Sequence, residues 1–340
     1  MLEEAIELFQ RCLALQEYQL TESQSQVETM GAEGPTDVSD PEDGGASLAD
    51  TDADTQPPQD ARWATIVEPV TNDTLLDTLL AQLETLTTLC GLINVDAGRG
   101  LSWIEEYSGS LLNQKLPEYI KGTDRDAEAT LTKANFISSL AEANFRSQRV
   151  DIATYERALH EAYVNLNLAD DPKGLVDKAE ALITYNTALR NSQLSSDNFI
   201  SLSRWKALTA ALDSLTAATK LPSTENLAKI HLARGDAEVH RFQLGQAPSH
   251  YDVANKNGSV LLKNAEKFYR GAANTARSTG DEKEVAEAVI KEALAAGLGG
   301  DATRIQEAVK LERKASQGVL EDAVDDGLVS LDALAAMGIA

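Results

Sequence analysis

Apolar residues recur at helical spacing along most of the chain. Leu2, Ala5, Leu8, Phe9, Cys12 and Leu15 give one apolar face to an opening helix, placed within residues 1–28. The pattern then stops. Residues 29–61 hold nine acidic residues, no Lys or Arg, four glycines, and Pro35, Pro41, Pro57 and Pro58. Such a stretch buries too little apolar surface to offset the entropy of ordering, so it is expected to be a disordered acidic loop. Order is expected to resume at Trp63 and to continue through a helical body over 62–340.

In that body Asp73 is placed to cap a helix carrying Leu75, Leu76, Leu79, Leu80, Leu83, Leu86, Leu89 and Cys90. Its wide apolar face calls for contact from more than one side. Helices are predicted next near 101–120, from Asp124 or Asp126 through Phe145, from Asp151 through Tyr163, and over 174–191 behind Asp171-Pro172. Further helices are predicted near 196–219, 223–244, 258–278, 281–297, 301–317 and 319–337, with Gly280, Gly299-Gly300 and Gly318 as punctuation. Nothing reads as a series of strands, so the fold class is all-α.

Serial helices of this length invite a search for repeats. Segment 140–159, LAEANFRSQRVDIATYERAL, resembles one tetratricopeptide repeat, with a second helix about two residues short of the usual spacing. A related string recurs as Ala141-Glu142-Ala143, Ala179-Glu180-Ala181 and Ala237-Glu238-Val239. The expected architecture is a tetratricopeptide-like helical solenoid with degenerate repeats and a concave face lined by first helices. In that register Glu142, Glu180 and Glu238 line the groove, with Glu84 and Asp236 on corresponding helices. Carboxylates in such a row would receive Lys and Arg from an extended basic segment.

Charge bears on the partner. The 340 residues carry 54 acidic against 30 basic side chains, a formal net charge of −24. A phosphate backbone is repelled by that balance, so no direct nucleic-acid partner is expected, whereas a basic protein is favoured. No apolar run is long enough to span a bilayer, and the acidic start MLEEAIELF does not read as a signal peptide. Cys12 and Cys90 lie far apart in apolar helical stretches and are expected as buried, reduced thiols. High net charge on a capped solenoid makes a monomer the expected state.

Catalytic patterns are missing from the sequence: no P-loop, HExxH, CxxC or GxSxG occurs, and no cofactor or metal is expected. His231 and His240, nine residues apart, do not share a helix face as a metal pair would. Asp170-Asp171 and Asp325-Asp326 read as caps or solvated charge, and Trp63, Trp103 and Trp205 as core anchors. The chain is therefore read as non-enzymatic.

Trp63–Val70 (WATIVEPV) followed by Asp73–Leu86 (DTLLDTLLAQLETL) resembles the fungal dedicated assembly chaperones of the fourth large-subunit ribosomal protein. LAEANFRSQ (140–148), KAEALITYN (178–186) and HLARGDAEVHRFQLG (231–245) are similar to the same family. The resemblance implies a tetratricopeptide superhelix that captures its newly made ribosomal protein, shields its basic extended segments and accompanies it from cytoplasm to nucleus for subunit assembly. The first helix of an opening repeat is missing, which reads as a trimmed start. An alternative is a general tetratricopeptide adaptor for heat-shock proteins; that role needs Lys, Arg and Asn on inner faces, where the aligned positions here are glutamate.

Overall fold

A computed structural model describes residues 2–32, 69–93, 98–192 and 198–339. Among these residues every regular element is helical: α1 Leu2–Ala32, α2 Asn72–Leu92, α3 Gly98–Ser110, α4 Leu116–Tyr119, α5 Asp126–Arg146, α6 Ile152–Val164, α7 Pro172–Arg190, α8 Asn198–Ala218, α9 Leu227–Gln243, α10 Asp252–Thr279, α11 Glu282–Leu298, α12 Ala302–Leu311, α13 Arg313–Asp325 and α14 Leu331–Ala336. One π-helical turn, Leu111–Lys115, joins α3 to α4 without breaking the helical path.

The helix starts follow side-chain chemistry. Asp151, Asp171 and Asp281 each accept a backbone N–H three residues ahead, satisfying donors that a helix N-terminus leaves open. At α2 the cap is Thr71, in a reciprocal box with Thr74, and Asp73 sits in the first turn instead. Gly318, expected as punctuation, lies inside α13. The opening helix runs on to Ala32, past the expected limit at residue 28. Most of the predicted acidic loop, and Trp63 with it, lies outside the described residues.

Packing proceeds from each helix to its near neighbours in sequence. α1 lies on α2, α2 on α5, α5 on α6 and α7, α7 on α8, and α8 on α9. α9 then packs on α10, α10 on α11, and α11 on α12 and α13. The cores follow the same order. Ile6 and Leu13 of α1 join Leu75, Leu79, Leu83 and Leu86 of α2, which shows why α2 needs its wide apolar face. Tyr155, Tyr163, Tyr185 and Leu189 fill the space among α5 to α8. Small residues decide the closest approach. Gly235 of α9 faces the Tyr269 ring of α10 so tightly that an added Cβ would lie 2.3 Å from Cε1.

Two sequence expectations about single residues change here. Cys12 is exposed, on the outer side of α1, while Cys90 is buried and its thiol is pushed up to about 12, first by burial and then by Glu142. Trp103 is a surface side chain stacked on Tyr107 with ring centroids 5.5 Å apart, rather than a core anchor. No helix among the described residues is long and apolar enough to cross a membrane.

Candidate functional site

Three alternate helices, α5, α7 and α9, turn one face each toward a cavity of about 1560 Å³. Glu142, Phe145 and Arg146 come from α5; Glu180, Ile183, Thr184 and Thr187 come from α7; Ala233, Asp236 and His240 come from α9. The 148–151 turn, the first turns of α6, Phe199 of α8 and the 326–328 turn complete the wall. The spacing on each helix, three to four residues, is that of one helix face.

Six carboxylates line this space, Glu142, Asp151, Glu156, Glu180, Asp236 and Asp326, against the guanidiniums of Arg146 and Arg149. Both arginines are engaged. Arg146 pairs with Glu142 at 3.0 Å and also donates to the carbonyls of Cys90 and Ile93. Arg149 reaches Glu105 at 2.9 Å. Asp236 is held by Lys291 at 3.0 Å and accepts from the Tyr269 hydroxyl at 2.8 Å. Asp151 is occupied in capping α6.

Glu156 and Glu180 are left with neither ion pair nor hydrogen bond among the described residues. The Glu180 carboxyl is raised above its ordinary range, first by burial within the wall and then by Asp177 one turn away. Asp326 is raised by burial as well. These groups crowd negative charge into a partly desolvated space, so a cation entering it relieves repulsion as well as gaining attraction.

Apolar surface lies beside the charge. Phe199 is 65% exposed and lines the cavity with Phe145, Ile152, Ile183 and Leu328. His240, 2% exposed, lies at the inner wall, and burial lowers it to about 4, so it is neutral at physiological pH.

Of the five carboxylates predicted from the sequence, the cavity gathers Glu142, Glu180 and Asp236. Glu84 lies on the exposed side of α2, away from this wall. Glu238 is 4% exposed and faces α10, paired with Arg241 at 3.1 Å and accepting from Asn264 at 3.0 Å. Two positions along a helix correspond to a rotation of roughly 200°, so Asp236 and Glu238 cannot share the wall. The Ala-Glu-Ala string that aligned Glu238 with Glu142 and Glu180 runs out of phase on α9. Glu156, Asp326 and Phe199 join the site although sequence reading did not select them. Glu156 follows Ile152 by one turn, which could have marked it; Asp326 and Phe199 come from elements distant in sequence and carry no local signal.

No group of His, Cys, Asp and Glu with metal-holding geometry occurs among the described residues. Comparison with family models, with curated proteins and with solved structures gives no match for this chain.

Proposed function

We propose that the chain is a tetratricopeptide-like solenoid whose concave acidic wall holds an extended basic segment of a protein client, without turnover. The observation that carries this reading is the cavity itself: six carboxylates against two arginines that are already paired, with Glu142, Glu180 and Asp236 on the facing sides of the alternate helices α5, α7 and α9. Repetition of helix pairs α5–α6, α7–α8 and α9–α10 supports the solenoid, because in such arrays the first helix of each pair lines the concave side.

The chemistry favours a client with Lys or Arg interleaved with apolar residues. Each exposed carboxylate–cation contact contributes on the order of 0–1 kcal/mol, so affinity must come from several contacts together. Phe199, Ile152 and Leu328 offer apolar anchorage between the charged positions. Glu156 and Glu180 need no existing partner displaced and are the first contacts proposed. Excess negative charge also speeds encounter with a positive segment.

The client proposed is a newly made basic ribosomal protein of the large subunit, the fourth, whose basic extension would be shielded in the cytoplasm and released during subunit assembly in the nucleus. The resemblance of residues 63–86, 140–148, 178–186 and 231–245 is the ground for that choice. The test is reconstitution of the full chain with that purified protein. A one-to-one complex by light scattering, weakened by salt and by Glu156→Gln with Glu180→Gln, is expected. Failure to form it, with binding instead to acidic heat-shock-protein tails, would overturn the reading.

A further inference from the structure

A cationic cavity is built into this acidic chain, on α7, α8 and the 247–249 and 327–332 segments. Its volume is about 560 Å³, and Arg190 and Arg204 both line it. Arg204 is 3% exposed. Its Nε donates to Asn186 Oδ1 at 3.0 Å and one Nη to Ser249 Oγ at 3.4 Å, so its partners are neutral. No carboxylate forms an ion pair with it among the described residues. Arg190 spends its donors on the carbonyls of Asp325 and Asp326, at 3.3 and 2.6 Å, and on Asn191 Oδ1.

The turn that clasps Arg190 depends on Gly327, at φ +71°, where an added Cβ would fall 0.8 Å from the guanidinium. The Asp326 side chain lines the acidic cavity, from where its charge still attracts Arg190 but forms no ion pair with either arginine among the described residues. Asp332 at the rim is exposed and pairs with neither arginine. Burial with Arg190 as a neighbour lowers Arg204 to about 10, as expected for a cation short of counter-charge.

A buried guanidinium has five donors in a planar fork that matches an oxyanion. Leaving it without an anionic partner is costly unless something else supplies one. We propose that this cavity binds a small oxyanion, a phosphate or carboxylate group, on Arg204, with Arg190 and Ser249 flanking it. The cavity has room for more than the anion, so a small molecule bearing such a group fits the same place. The 326–328 turn borders both cavities, but this proposal does not rest on the client proposed for the acidic wall.

The test is calorimetric titration of the full chain with inorganic phosphate and, separately, with acetate, at ionic strength held constant by sodium chloride. Saturable binding of one or both is expected, and the preferred anion tells phosphate from carboxylate chemistry. Arg204→Met is expected to weaken it by about tenfold or more. Asn186→Asp is the second variant: it is isosteric, sets a carboxylate against Arg204 Nε, and removes the buried Asn186 Nδ2, which has no hydrogen-bond partner. It is expected to raise the melting temperature and to weaken anion binding by a similar factor. It carries the test alone if Arg204→Met does not fold. Absence of saturable binding by either anion, or unchanged binding by Asn186→Asp, would overturn the proposal.

Discussion

His240 makes the stability of this chain depend on pH in a way that one substitution isolates. The ring is buried and its pKa is lowered from 6.5 to about 4, chiefly by burial, with Asp236 opposing and Arg190, Arg204 and Lys291 reinforcing. The unfolded chain therefore holds more protons on this residue than the folded chain between those values. Stability from the neutral ring is fully present above about pH 6.5 and is lost as pH falls through about 4. A gap of about 2.5 pH units corresponds to a ceiling of about 3.4 kcal/mol, of which about 2 kcal/mol is lost between about pH 7 and pH 5.

Asp177, Glu180 and Asp326 act with the opposite sign. Their raised values give the folded chain extra protons, and stability, as pH falls through the carboxylate range. Comparing native protein with His240→Leu cancels those groups. His240 Nδ1 has no hydrogen-bond partner, so the leucine forfeits nothing at that atom. Urea unfolding followed by far-UV circular dichroism at both pH values supplies the stabilities. The variant is expected to lose about 2 kcal/mol less than native protein on going from pH 7 to pH 5. Parallel losses in the two proteins would refute the burial argument.

Gly235→Ala forces a methyl into the Tyr269 ring at the α9–α10 contact and is expected to cost about 1–3 kcal/mol or more by urea unfolding, because neither helix can withdraw without opening its core. Lys291→Met strips the counter-charge from Asp236 and Glu287, each bonded at 3.0 Å. A fully buried pair broken this way costs about 3–5 kcal/mol, and the partial exposure of both carboxylates brings the expectation to about 2–3 kcal/mol. In the Lys291→Met background Asp236→Asn should cost about 1–2 kcal/mol less than in native protein, a coupling read from the double-mutant cycle.

Helices were the readable part of this chain, because Asp151 and Asp171 announce their starts, Gly280 marks a break, and apolar residues fall at a steady period. Competition between equivalent signals caused the misplacements. Thr71 and Asp73 both suit an N-cap, and the reciprocal bond with Thr74 decides for Thr71. Gly318 lies inside α13, where a single glycine costs only about 1 kcal/mol relative to alanine, so it carries no stop signal by itself. The inner wall was legible on α5 and α7, where Glu142 and Glu180 fall in the string that also fits the repeat. On α9 the same string points to Glu238, and only the packing of α10 against that face shows that Asp236 is the inward residue. Arg204 gave no signal at all, since an arginine in a helical stretch reads as a surface charge until its neighbours show that α8 is buried on several sides.

The most direct test of the account is calorimetric titration of the native chain, and of Glu156→Gln with Glu180→Gln, with a short peptide that alternates Lys or Arg with Leu. Binding to native protein is expected to weaken as salt rises from about 50 to about 300 mM, with an affinity loss of about three- to tenfold and a shallower salt dependence in the double variant. Equal affinity and equal salt dependence in both proteins would contradict the claim that the cavity among α5, α7 and α9 is where a basic segment docks.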